Sequence, residues 1–79
     1  MTVMTVENWL SLIYGQDKKG NSAIVIGDFK NALEKDAALL TAANQRLNDL
    51  DALIKARGEK ACAYSTKYRT YLQKALGRS

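Results

Sequence analysis

Apolar residues near the amino terminus fall at Val6, Trp9, Leu10 and Ile13, with spacings of 3, 1 and 3. That spacing is one face of a helix. Thr5 stands where an N-cap belongs, Glu7 lies in the first turn, and Gly15 can end the helix. The pattern predicts a short helix over residues 5–14. Ten residues are too few to hold a helix alone in water, so it has to dock on something.

The polar stretch GQDKKGNS, residues 15–22, follows, and then the apolar run Ala23-Ile24-Val25-Ile26. β-branched residues in sequence favour extended chain. The run reads as a packed extended segment or as the first turn of a helix. Gly27-Asp28 then reads as a break and an N-cap, which leaves residues 15–27 as loop and extended chain.

From Asp28 onward the period sharpens. Alternating steps of four and three from Phe29 reach Leu33, Asp36, Leu40, Ala43, Leu47, Leu50, Ile54 and Arg57. Leu33, Leu40, Leu47 and Ile54 form one half of a heptad frame, and the other half is interrupted by Asp36 and Arg57. This is the pattern of a coiled-coil seam. The frame runs on without a slip through Gly58 to Ala61, Tyr64, Tyr68, Tyr71 and Ala75. Two layouts satisfy it. One is a long helix over residues 28–76, about 73 Å from end to end. The other is a helical hairpin that turns at Gly58. Either way the fold class is all-α, in a single small domain over residues 1–79.

Length turns this pattern into an expectation of association. A 79-residue chain buries only roughly 60–65% of its unfolded surface. One cysteine, Cys62, rules out a disulfide within the chain, and a chain with no histidine cannot readily assemble a metal site. A partner subunit is the remaining source of stability, most simply in a symmetric homodimer. Leu33, Leu40, Leu47, Leu50 and Ile54 are the residues expected at that interface.

Charge separates the two ends. Residues 1–54 carry five cations against seven anions, net −2, whereas residues 55–79 carry seven cations against Glu59 alone, net +6. Lys60, Lys67 and Lys74 recur every seven residues, Arg69 adds charge, and Tyr64, Tyr68 and Tyr71 lie among them. Tyrosines in the heptad frame are expected to pack, with lysine stems lying over them. Beyond packing, the stripe points to an acidic protein partner first and to nucleic acid second. Lys60, Lys67, Arg69 and Lys74 are the expected contact residues, with Trp9 as an aromatic anchor.

Candidate chemistry changes this picture little. GQDKKGNS differs from the phosphate-binding G-x-x-x-x-G-K-[ST] by Asn21 in place of the lysine. Its neighbours are also in the wrong order, because that motif follows a strand and opens a helix. No histidine is available as a general base, and Cys62 has no base in view. Glu34 and Asp36, like Asp49 and Asp51, point to different sides of a helix. The sequence leads to a non-enzymatic interaction protein without cofactor or small-molecule substrate, acting as an adaptor, chaperone or inhibitor. The runner-up is a dimerising nucleic-acid-binding protein. The amino terminus lacks the pattern of a signal peptide or membrane span, and the lone cysteine suits a reducing cytoplasm.

Overall fold

The computed structural model describes residues 4–78. Four helices follow one another: α1 over Val6–Asp17, α2 over Ser22–Lys35, α3 over Ala37–Arg57 and α4 over Ala63–Leu76, with a 3-10 turn at Lys60–Cys62 before α4. No strand occurs among the described residues. The all-α class holds, but there are more helices than the heptad pattern suggested, and they are shorter.

α1 begins as its sequence requires. The Asn8 N–H donates to Thr5 Oγ1 at 3.2 Å, and Glu7 lies in the first turn. The helix does not stop at Gly15 but runs on to Asp17. The Gln16 carbonyl then closes a tight turn, accepting from the N–H groups of Lys19 and Asn21. Gly20 has φ +78°, a conformation that suits glycine because it has no Cβ to clash. GQDKKGNS is therefore a helix end, a four-residue turn and the start of α2.

The apolar run 23–26 is helical, and Gly27 lies inside α2. Both departures have one cause. Helix propensity differences of a few tenths of a kcal/mol for Ile and Val, and about 1 kcal/mol for Gly, are small beside packing. Val25 and Ile26 pack on the edge of a core that holds Phe29 and Leu33 completely or nearly so.

The long helix is broken twice. Asp36 has extended backbone, φ −130° and ψ 101°, and its Oδ1 accepts from the N–H groups of Ala38 at 3.0 Å and Leu39 at 3.1 Å. The residue that interrupted the heptad frame is the N-cap of α3. Gly58, φ +85°, ends α3 and its N–H donates to the Ile54 carbonyl at 2.7 Å. Of the two layouts, the turn at Gly58 is the one present. No side chain caps α4, which is entered through the 3-10 turn.

These breaks let one chain cover its own apolar faces. The radius of gyration is 12.2 Å, against about 11.6 Å for a compact domain of this length. Leu10, Ile13, Phe29 and Leu72 are fully buried at the centre. Val6, Leu33, Leu39, Ala43, Leu47, Leu50, Tyr71 and Ala75 complete the cluster, and Trp9 stacks on Phe29 with ring centroids 5.3 Å apart. Leu33, Leu47, Leu50 and Ile54, assigned by sequence to a seam between chains, are thus buried within one chain. Only the first turn of α3 departs from the frame: Leu39 is buried in place of Leu40, which is 39% exposed, and Ala43, Leu47, Leu50 and Ile54 keep their register. Leu40 lines a shallow apolar groove with Leu33, Ala75 and Leu76, rimmed by Lys30 and Glu34.

A candidate tyrosine–lysine face

The last turns of α1 carry Tyr14 and Asp17, with Lys18 as its cap. α4 carries Tyr64, Lys67, Tyr68 and Tyr71 at spacings of 3, 1 and 3, which places them on one helix face. Packing α4 across the end of α1 brings all four tyrosines of the chain together. Tyr14 lies 5.4 Å from Tyr64 and 6.2 Å from Tyr68, centroid to centroid, and Tyr68 lies 6.3 Å from Tyr71. These are distances at which ring edges and faces attract. Two ammonium groups address the Tyr14 ring, Lys18 Nζ at 4.7 Å and Lys67 Nζ at 5.6 Å from its centroid, within cation–π range.

One charged group ties the cluster to the core. The Tyr71 hydroxyl donates to Asp17 Oδ2 at 2.7 Å, and Lys67 Nζ lies 3.7 Å from the same oxygen. The Tyr71 hydrogen bond, with Lys67 and Lys74 nearby, holds the Asp17 carboxyl below the usual carboxylate range against a smaller opposing effect of burial. Burial, the bond to Asp17 and its negative charge push the Tyr71 phenol well above its ordinary value. Tyr71 is therefore a fixed donor, protonated throughout the physiological range, and Asp17 a fixed acceptor. The Tyr64 phenol is also raised, first by the neighbouring Tyr14 hydroxyl.

Exposure grades along the face. Tyr71 is 5% exposed, Tyr14 and Tyr68 are half-buried, and Tyr64 is 64% exposed. Beside Tyr64 is an open hollow of about 250 Å³ lined by Tyr14, Ala63, Tyr64 and Lys67.

The contact residues expected from sequence divide. Lys60 and Lys74 are exposed and make no ion pair among the described residues. Lys67 belongs to the face but shares Asp17. Arg69 is engaged within the chain: its guanidinium lies 3.1 Å from Glu59 and 3.7 Å from Asp51, only 22% exposed, and fastens α4 to the end of α3. Trp9 is half-buried against Phe29, and its indole N–H meets no acceptor among the described residues. Arg46 makes the remaining ion pair among the described residues, its Nε 2.8 Å from Glu7 Oε1, although the N–H is not aligned as a hydrogen bond. Sequence reasoning missed Tyr14, Asp17 and Lys18. The roles of Tyr14 and Asp17 depend on contacts with α4, about fifty residues away, whereas Lys18 reaches the Tyr14 ring at an i, i+4 spacing that the sequence does show.

Among the described residues no three His, Cys, Asp or Glu side chains come together as a metal site, and no helix is long and apolar enough to cross a membrane. Comparison with protein-family models, with curated proteins and with solved structures finds no match to this chain.

Proposed function

We propose that the protein is a non-enzymatic helical interaction module that binds an acidic macromolecular partner through the tyrosine–lysine face, as a small adaptor, chaperone or inhibitor. The observation that carries this reading is Tyr64. It is a large aromatic ring, 64% exposed, braced by Tyr14, whose own ring carries the ammonium groups of Lys18 and Lys67. Folding gains little from such a residue, whereas an interface gains an anchor with few rotatable bonds. Lys18, Lys67 and Lys74 supply a field that steers an acidic surface toward that anchor and raises the association rate. Self-association through the leucine frame has lost four of its five residues to the core, and the binding proposed here needs no second copy. A reducing cytoplasmic setting fits the buried, unpaired Cys62.

The test is a titration of labelled polyanions, polyglutamate and oligonucleotide, at about 50 mM salt, where charge attraction is strong. Lys18→Glu combined with Lys74→Glu is expected to cut the affinity of any bound polyanion at least tenfold with an unchanged circular-dichroism spectrum. A wild-type protein that binds no polyanion under these conditions refutes the reading.

A further inference from the structure

We infer that the tyrosine–lysine face is a stacking site for single-stranded nucleic acid, with an unpaired base laid on Tyr64 and its phosphates against Lys18, Lys67 and Lys74. The inference rests on the reading above and narrows its partner. Three observations separate a single strand from an acidic protein.

The first is which tyrosines pack and which does not. Packing accounts for Tyr71, buried and bonded to Asp17, and for half-buried Tyr68. It does not account for Tyr64, which adds a well-placed ring to the surface beside an open hollow. A base offers a flat π-face to match it, and each such stack is worth roughly 1–3 kcal/mol, a factor of about 5 to 150 in affinity. An acidic side chain has no face to offer.

The second is the kind of cation. Protein interfaces favour arginine and disfavour lysine. Here the arginine of α4, Arg69, is held by Asp51 and Glu59, and every cation around the tyrosines is a lysine. Lysine serves as a point charge for phosphate, which needs no planar fork.

The third is the state of Asp17, the one carboxylate among the tyrosines. Tyr71 and Lys67 already hold it, and Lys74 is close enough to depress its pKa. Its charge is compensated in place, so the face as a whole presents positive potential to an approaching backbone. A duplex satisfies the lysines but keeps its bases stacked inside, so the exposed ring selects for the unpaired strand.

The experiment measures binding of the whole protein by fluorescence anisotropy to three probes: a mixed-sequence single strand of about 16 nucleotides, the same sequence as a duplex, and polyglutamate of matched charge. The expected result has four parts. The single strand binds more tightly than the duplex. Tyr64→Ala weakens the single strand about tenfold or more. Tyr64→Phe retains its binding, and neither Tyr64 substitution alters polyglutamate binding. Lys18→Gln combined with Lys74→Gln lowers the slope of log affinity against log salt by about 1.4, since each lost phosphate contact removes about 0.7. Equal binding of the three probes with no effect of Tyr64→Ala overturns the stacking site and leaves the polyanion reading standing. Binding of polyglutamate alone assigns the face to an acidic protein and also overturns the inference. Binding of none of the three overturns both. Tyr64 and both lysines lie on the surface, so the variants are expected to keep the wild-type circular-dichroism spectrum.

Discussion

Tyr71 and Tyr64 are seven residues apart on one face of α4, yet they live in different surroundings. Tyr71 is walled in by the core, with Leu72 and Ala75 beside it in sequence and the Asp17 carboxylate over its hydroxyl. Tyr64 touches Tyr14 on one side and water on the other. Seven residues are two helical turns, about 10 Å, and that distance takes α4 from the middle of the bundle to its rim. Identical side chains at equivalent heptad positions therefore do opposite work: one closes the core, and the other adds an aromatic ring to the surface. The contrast shows that period selects a face but not a depth. Depth depends on what the neighbouring helices place against each turn: Tyr71 meets Asp17 and the core, whereas, among the described residues, the Tyr64 ring meets only that of Tyr14.

The contrast breaks most visibly at Leu72, beside Tyr71 and fully buried. Leu72→Ala is expected to cost about 3 kcal/mol, a large fraction of the stability of so small a domain. Tyr64→Ala is expected to change stability by no more than about 0.5 kcal/mol. Urea denaturation followed by circular dichroism measures both. Comparable losses would mean that Tyr64 belongs to the core after all.

A second, smaller effect separates the two tyrosines by pH. Asp17 is depressed in the folded state, so its contribution is present above the ordinary carboxylate pKa of about 4 and is lost as pH falls further. Tyr71 is raised, so its contribution is present below the ordinary phenol pKa of about 10 and is lost as pH climbs beyond it. Tyr71→Phe removes the shared hydrogen bond. It should lower the melting temperature by a few degrees at neutral pH and flatten the fall on both the acid and the alkaline side. Melting curves from pH 3 to 11 check this. A Tyr71→Phe profile parallel to wild type would mean that the bond contributes nothing.

The smallest effect distinguishes the two kinds of cation on α4 and the turn before it. Arg69 holds Asp51 and Glu59, so Arg69→Gln should cost up to about 1 kcal/mol, less in high salt. Lys60→Gln and Lys74→Gln should leave the melting temperature unchanged and tell only on binding. A clear loss of stability in the two lysine variants would assign their charge to folding.

The sequence carried more of the fold than of the site. Thr5 as N-cap, the helical face of Val6, Leu10 and Ile13, and the burial of Leu33, Leu47, Leu50 and Ile54 all follow from local spacing. The break at Asp36 was also written there: Asp36 followed by Ala-Ala-Leu-Leu is an N-cap before a helix, hidden because the heptad count treated it as a polar intruder in the frame. Counting through Asp36 exposed Leu39 on paper and buried Leu40, and the structure reverses that pair. At Ala23–Ile26, intrinsic preference pointed to extended chain, whereas packing beside Phe29 and Leu33 made a helix. For the site, Lys60, Lys67 and Lys74 were legible as a stripe, but Arg69 and Trp9 were not separable from it until their contacts were known.

By itself, the sequence determined that this chain is helical, where its helices can begin, and that its carboxy-terminal third is basic. Those properties depend on caps, periodicity and charge, which act between residues a few positions apart. Only the tertiary structure decided that the leucine frame closes on itself, that Asp17 meets Tyr71 and Lys67, and that Tyr64 is left outside. Those outcomes depend on how helices distant in sequence share a limited apolar area. Two breaks, at Asp36 and Gly58, set the lengths that divide it.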